Sequence, residues 1–523
     1  MRRLMLITCL IFSVLACSGE GATSDPVTDK EPVPKVQTGE TQIPTPSPTP
    51  ETPTTGPIEL KPTPTVSSVE AKDSTKIPPV TPTATPMPAK ATAPTPTAPT
   101  PTATLTPAPT PTSVARAGRV PKGPAPTFSP STQFGSFESS VAIGFQQAIN
   151  NEFVAAVNKA GVSAAVFDGS KLWTGALGDA SSIQAMTANT PMIIRSTSKT
   201  FLGALIASQI DQGLYRLSDT VADLLTDHPD YDLINIDYVN TAVTVEQLLT
   251  MTSGIYDWSA ESDLQKRMEI MLTPDWNPAY NLSKISKPFV PPGSYRYSYA
   301  NSILIGLIAE HLSGKTINTL YQEVFFEPLG ISGALLPDVV APLNLAKPHD
   351  NLANYGGGTG FGDLEAGSMA MFAGKDPRIS WAGAGIVSTP QNIARWGYEL
   401  FSSSGKAVTG EVRGKLIGAM KVQTDAGMTS LGMHTYGYYM GEGEVTTSDG
   451  LTLKAYTHPG GGGGRTSWLY YSPELDVSIS LLANSMFLHD LGSCGYKGFA
   501  KFMAVGECMA GGMFSLLQGK PIG

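Results

Sequence analysis

Ser196-Thr197-Ser198-Lys199 places a hydroxyl and an amine three residues apart, between an extended apolar segment (Met192-Ile193-Ile194) and an apolar run with helical spacing. On a helix, residues three apart lie on one face, one turn from each other. The amine can then reach the hydroxyl, and burial that lowers its pKa lets it take the hydroxyl proton and turn the oxygen into a nucleophile. A second copy of the spacing, Ser403 with Lys406, sits in a polar Ser/Gly stretch and reads as a turn. Two residues at fixed spacing recur by chance, so the surroundings must decide between them.

The elements around Ser196 are legible from periodicity. Val141, Phe145, Ile149, Phe153 and Val157 recur every four residues, which predicts an amphipathic helix over 137–160 ending at Gly161. Val162–Phe167, the Asp168-Gly169 turn and Lys171–Leu177 follow as a hairpin signal. The Ser196 helix presents Phe201, Leu202, Leu205, Ile206 and Ile210 as its core side, and residues 215–345 read as mostly helical with long loops. Near the C-terminus, Ser467–Tyr471 and Val477–Ala483 read as strands, and a last helix follows. The expected class is α+β: an antiparallel sheet built from both ends of the domain, flanking helices and an inserted, mostly helical subdomain.

Composition separates this domain from what precedes it. Residues 1–16 carry Arg2 and Arg3, an apolar run from Leu4 to Leu15, and Ala16 before Cys17, the pattern of a signal peptide. Val14-Leu15-Ala16-Cys17 resembles a bacterial lipoprotein cleavage site, so Cys17 is the expected lipidation site and the mature chain is expected to be anchored to a membrane on its extracytoplasmic side. From Gly21 to Pro130, 27 of 110 residues are proline, mixed with Thr, Ala and Ser. Such a tract has little to bury and favours polyproline II. Residues 17–132 therefore read as a disordered tether, or a glycosylated stalk, and 133–523 as the folded domain.

Several chemistries are absent. The formal charge of −9 becomes −11 without Arg2 and Arg3, and the one small basic cluster is Arg116, Arg119 and Lys122, so nucleic acid is not an expected partner. There is no Gly-x-Ser-x-Gly elbow, no His-Glu-x-x-His helix, no phosphate-binding loop and no Cys-x-x-Cys pair. His228, His311, His349, His434 and His489 lack ligand spacing, and neither a metal nor any other cofactor is implied. In the folded domain only Cys494 and Cys508 remain; a disulfide between them needs a helix break near Gly495 or Gly498.

Further stretches carry a family resemblance over 137–515. Thr190-Pro191-Met192-Ile193-Ile194-Arg195 precedes Ser196, and Leu217-Ser218-Asp219-Thr220-Val221 follows its helix. Then come Thr244 to Gly254 (TVEQLLTMTSG) and Trp381 to Thr389 (WAGAGIVST). Together they resemble the serine β-lactamase and penicillin-binding-protein superfamily, in particular its class C β-lactamase-related branch, which includes D-alanyl-D-alanine carboxypeptidases, D-aminopeptidases and esterases. The resemblance implies Ser196 as nucleophile and Lys199 as its proton partner. It also implies a Tyr-x-Asn motif. Tyr238-Val239-Asn240 and Tyr299-Ala300-Asn301 both fit; the Pro291-Pro292-Gly293 turn before the second and the apolar helix after it favour Tyr299, with Asn301 donating to substrate or orienting Lys199. The third motif, normally Lys-Thr-Gly, is absent, and His458-Pro459-Gly460 fits its histidine variant, which would make His458 and Gly460 substrate-binding. By resemblance the amides of Ser196 and Gly461 form the oxyanion hole.

Pro459 stands where a hydroxyl residue helps to bind the substrate carboxylate in β-lactamases and carboxypeptidases, and neutral histidine is a weak anion partner. Arg465 is either a substitute carboxylate clamp or a surface-loop arginine. Tyr256, Trp258 and Trp381 could line a cleft or pack the core. The expected function is an exported serine hydrolase acting through a Ser196 acyl-enzyme on ester or amide bonds of a small molecule or peptide, including a cell-wall peptide, with β-lactams a further option. The alternative is a catalytically silent module that holds wall peptides on a tethered stalk.

Overall fold

The structure is a computed structural model, and it describes residues 122–155, 160–257, 264–349, 376–429, 431–485 and 501–522. The expected signal peptide, Cys17 and nearly all of the Pro-rich tract lie outside these residues, as do Trp258, His489 and Cys494. Among the described residues no helix is long and apolar enough to cross a membrane.

The chain opens with α1 (Ser139–Ala155) and the hairpin β1 (Val162–Phe167) and β2 (Leu172–Leu177). The Asp168 carboxylate accepts the amides of Ser170 at 2.9 Å and Lys171 at 2.6 Å, and Gly169 supplies the left-handed φ of 88° that closes the turn. After β3 (Met192–Ile193) comes a single 3₁₀ turn, Arg195–Thr197, leading into α2 (Ser198–Asp211). Short helices at Val221–Leu225, Val245–Leu249 and Pro278–Leu282 and the long α3 (Tyr299–Ser313) build the expected helical middle. The second half contains β4 (Ala334–Leu335), β5 (Ile386–Ser388), α4 (Pro390–Phe401) and β6 (Val422–Gln423). Seven more elements end the chain: β7 (Met433–Gly437), β8 (Met440–Thr446), β9 (Thr452–Thr457), β10 (Gly460–Gly462), β11 (Arg465–Ser472), β12 (Val477–Ala483) and α5 (Lys501–Leu517).

The main sheet runs β2-β1-β12-β11-β9-β8-β7-β6, with β10 also paired to β11, and every pair is antiparallel. The two ends of the chain meet where β1 pairs β12 in the register Val162↔Ala483 to Phe167↔Ser478. Side chains alternate across a strand, so β1 and β12 feed two cores. Val162, Val166, Ile479 and Leu481 pack with Phe145 and Ile149 of α1 and with Met509 and Phe514 of α5. Phe167 and Leu482 face the opposite core, which holds α2, α3 and α4. The α+β reading with a sheet drawn from both ends is correct.

The strands β6 to β9 were not expected. Met440-Gly441-Glu442-Gly443-Glu444 has no apolar alternation, and the β7–β8 turn uses Tyr438 and Tyr439 in the left-handed region (φ 46° and 65°) where glycine or asparagine is the usual signal. Cys508 on α5 is disulfide-bonded.

Candidate active site

Ser196 is not in the helix proper but in the 3₁₀ turn that opens it. A 3₁₀ turn repeats every three residues, so it stacks Ser196 above Lys199 more directly than an α-turn does. Arg195 enters the turn at φ 51°, a strained conformation for a residue with a Cβ, and Met251 (57°) and Trp381 (38°) on neighbouring segments share it. Hydroxyls then lock the turn to the sheet. Ser467 on β11 donates to the Ile194 carbonyl at 2.6 Å, Thr197 donates to the His458 carbonyl at 2.8 Å, and the Trp396 indole of α4 donates to Thr200 at 2.8 Å.

Three polar heads converge on Ser196 Oγ. Lys199 Nζ lies 3.4 Å away, Tyr299 Oη 3.4 Å away, and Tyr297 Oη donates to it at 2.9 Å. The Lys199 amine is fully buried, donates to the Gly383 carbonyl at 2.8 Å, and stands over the rings of Tyr297 (4.9 Å) and Tyr299 (4.4 Å). Burial drives its pKa well below the ordinary lysine value; attraction to Asp257 opposes the shift and the nearby Arg195 adds to it. Desolvation outweighs the one carboxylate, so the site favours a neutral amine whose lone pair can accept a proton. Tyr297 is pushed the other way. Burial, then the Tyr299 ring, raise its pKa well above 10, so it stays a phenol and a donor.

Tyr297 was missed. The signal was present as the alternation Tyr295, Tyr297, Tyr299, with period 2 in extended chain before the Ser298 cap of α3. Choosing Tyr299-x-Asn301 carried the motif two residues too far into the helix. Asn301 is completely buried; it accepts from Ser253 at 2.6 Å and its amide meets the Met251 sulfur at 3.0 Å, so it neither orients Lys199 nor faces a cleft. The three-residue pattern beside Ser196 is Tyr297-Ser298-Tyr299, with a second phenol where the motif has asparagine. The rejected Asn240 caps a turn through Ala242 at 3.1 Å, and Ser403 and Lys406 are exposed on a turn.

The third motif is built from a broken strand. Pro459 has no N–H to give to a ladder, and β9 and β10 are interrupted at His458-Pro459. Beyond the break β10 pairs β11 as Gly460↔Ser467, Gly461↔Thr466 and Gly462↔Arg465. A Cβ on Gly460 would stand 2.5 Å from the Ile194 carbonyl oxygen and 2.9 Å from the Ser196 nitrogen, so only glycine lets β10 lie against the serine turn. Gly462, Gly463 and Gly464 all have positive φ (122°, 59° and 67°), which makes the glycine run a shaped turn rather than a slack loop.

His458 is buried, and both ring nitrogens are engaged. Nδ1 lies 2.7 Å from the Pro459 carbonyl, which can only accept, so Nδ1 carries the proton and Nε2 accepts from Tyr436 at 3.0 Å. Burial, then the Lys199 charge, push its pKa down to about 3. No nitrogen is left for a substrate anion, which corrects the substrate-contact expectation; its ring instead packs 6.4 Å from that of Tyr297. Arg465 is no surface-loop residue. It is buried at the start of β11 and donates to the Gly463 carbonyl at 3.2 Å. Trp381 is fully buried, with Tyr256 half-buried. Asp257, which sequence reasoning did not single out, accepts weakly from the Tyr299 amide at 3.5 Å. Among the described residues, no group of His, Cys, Asp and Glu side chains is arranged to hold a metal.

The family model described as Beta-lactamase matches residues 148–494. The chain belongs to the beta-lactamase family. Solved structures share the fold at low identity. The D-amino acid amidase from Ochrobactrum anthropi SV3 complexed with L-phenylalanine is 17% identical, with a TM-score of 0.57 over 72% of this chain and 99% of that one. A D-stereospecific amidohydrolase from Streptomyces sp. is 18% identical, with a TM-score of 0.54 over 70% and 98%. The octameric penicillin-binding protein homologue from Pyrococcus abyssi is 19% identical, with a TM-score of 0.51 over 74% and 78%. Within this family the WAGAGIVST stretch gains a role: its Gly383 carbonyl holds the Lys199 amine.

Proposed function

We propose that this beta-lactamase-family protein is a serine hydrolase in which Ser196 attacks an ester or amide carbonyl and carries the acyl group before water releases it. The observation that carries the reading is the 3.4 Å approach of the Ser196 hydroxyl to a fully buried amine of depressed pKa. Neutral Lys199 takes the hydroxyl proton, and the Ser196 and Gly461 amides receive the oxyanion. Support for the Gly461 amide comes from β10, which among the described residues pairs on one side only and runs its other edge along the serine turn.

The substrate we favour is a small amide or ester. Neutral, fully engaged His458 and the hydroxyl-free Pro459 remove the carboxylate contacts that a β-lactam or a D-alanyl-D-alanine terminus would use, while a D-amino acid amidase and a D-stereospecific amidohydrolase share the fold. We further propose that Cys17 is lipidated and that residues 17–132 tether the 133–523 domain on the extracytoplasmic side of a bacterial membrane. Changing Cys17→Ala is then expected to move the protein from the membrane fraction to the soluble one.

Exposure to a fluorophosphonate followed by mass spectrometry tests the chemistry. An adduct on Ser196 that disappears in Ser196→Ala is expected. A folded sample that takes no acylating probe would instead be a silent binding module. A panel of nitrophenyl esters, D-amino acid amides, a D-alanyl-D-alanine peptide and nitrocefin is expected to give turnover on the first two classes.

A further inference from the structure

Residues 122–135, the end of the Pro-rich tract, run across the domain surface without helix and are fastened at three points. At the first, the Lys122 amide donates to the Asp338 carbonyl at 3.0 Å and the Val340 amide donates to the Gly123 carbonyl at 3.1 Å. A Cβ on Gly123 would stand 2.9 Å from a Val339 methyl, so a glycine lets the two backbones bridge. At the second, the buried Gln391 side chain of α4 reads the backbone. It accepts from the Ser131 amide at 3.2 Å and donates to the Ser129 carbonyl at 2.9 Å and to the Asn189 side chain at 3.2 Å. At the third, Phe134 meets Phe167 edge-on at 4.9 Å, with the Arg395 guanidinium 4.8 Å from its ring. There Gly135 donates to the Ser170 carbonyl and accepts from the Leu172 amide, both at 3.0 Å.

Between the first two fastenings, Phe128 packs on the cluster of Ile193, Leu336, Val339 and Val387. Ile193 lies on β3, three residues before Ser196. Val387 is its register partner on β5, four residues after the Gly383 whose carbonyl holds Lys199. One phenylalanine therefore presses on both strands that lead to the catalytic pair. These strands are two and three residues long, so they have few ladder bonds of their own and depend on packing from outside. Pro124, Pro126 and Pro130 fix φ along the segment and lower the entropy lost in seating it. The family match begins at residue 148, beyond this whole segment.

We propose that residues 122–135 are an intramolecular strap whose seating holds β3 and β5 where Ser196 is reactive. The compositional boundary at 133 falls inside the strap, and the folded unit begins at 122. The seating stands apart from the hydrolase reading above; its effect on Ser196 rests on that reading.

Hydrogen exchange in the full-length protein tests the seating. The Val340 and Leu172 amides, bonded to the two ends of the strap, are expected to be protected. They are expected to exchange about tenfold faster or more when residues 122–135 are replaced by a Gly/Ser segment of equal length, while amides of the β8–β9 ladder stay protected. Fluorophosphonate labelling of Ser196 is expected to slow about tenfold in that variant, because small displacements of a reacting group are costly. A synthetic peptide of residues 122–137 at millimolar concentration is expected to restore both. Phe128→Ala and Gln391→Leu, which keep the chain intact, are expected to slow labelling severalfold, and deletion of residues 30–110, which spares the strap, to leave it unchanged. Val340 and Leu172 amides that exchange like free amides in the unsubstituted protein overturn the strap. Parental labelling rates in both Phe128→Ala and Gln391→Leu overturn its coupling to Ser196, even where the Gly/Ser protein fails to fold. An unsubstituted protein that takes no label overturns the hydrolase reading instead, and exchange still decides the seating.

Discussion

The amine of Lys199 is held by the carbonyl of Gly383 at 2.8 Å, a bond across 184 residues of sequence. That carbonyl is aimed by the turn that begins at strained Trp381, whose indole is buried against Gly306 of α3. One amine proton is spent on it, which fixes the nitrogen 3.4 Å from the serine oxygen. Strain at Trp381 is thus matched to a proton-transfer geometry rather than to packing alone.

Because burial depresses the Lys199 pKa, kcat/KM on a nitrophenyl ester is expected to rise with pH through that value and then level. Below it the lysine is an ammonium with no lone pair; above it the neutral amine can accept the Ser196 proton. Lys199→Arg fixes a positive charge at the same place and is expected to cost 10²- to 10⁴-fold, in the usual range for loss of a general base. A pH–rate profile with no acid limb, or an arginine variant of undiminished rate, would reject the role.

Gly460→Ala tests the seating of β10. Its Cβ would press on the Ile194 carbonyl and the Ser196 amide, both backbone and unable to swing aside. The sheet has its own large core, so melting should change by a few degrees while labelling of Ser196 by a fluorophosphonate falls at least tenfold. Equal losses of stability and labelling would mean that the glycine serves the fold and not the site.

The sequence was informative where one period or one turn decided the element. Asp168-Gly169 and the apolar β12 could be read locally, and Ser196 and Lys199 lie on one short turn. Long-range geometry could not be read. Nothing in Gly383 announces that its carbonyl meets an amine, and Tyr295, Tyr297 and Tyr299 are equivalent until the start of α3 brings Tyr297 and Tyr299 to the serine. Asn301 shows the cost: two residues along, its side chain turns from the cleft to Ser253. The β7–β8 hairpin was hidden because two tyrosines occupy left-handed turn positions that propensity assigns to glycine.

His458 links acid sensitivity to the site. Its folded pKa of about 3 lies below the ordinary 6.5, so the neutral form is the one the fold accepts. Between these values the unfolded chain binds a proton that the folded one does not, and stability falls as pH drops through that window. The slope for one proton is at most about 1.4 kcal/mol per pH unit. His458→Gln, which keeps a polar side chain and cannot titrate, is expected to flatten the fall of Tm between pH 6.5 and 4 relative to the unsubstituted protein. Identical slopes in the two proteins would show that other groups carry the effect.

Glu507 on α5 has the opposite sign. Burial raises its carboxyl to about 7 against one backbone amide, from Thr446, that favours the ionised form. The folded state holds this carboxyl neutral, so its contribution is complete below the ordinary 4.5 and is lost as pH rises through about 7. At pH 8 the fold must carry a buried carboxylate, whereas at pH 5 it carries a neutral acid that an amide mimics. Glu507→Gln is therefore expected to raise Tm by a few degrees at pH 8 and to change it little at pH 5. Because α5 packs on α1 and the outer face of β11, away from the Ser196 turn, labelling of Ser196 should respond only as far as folding does. A glutamine variant less stable at pH 8 than at pH 5, relative to the unsubstituted protein, would mean that the carboxylate is ionised and paired in the folded state.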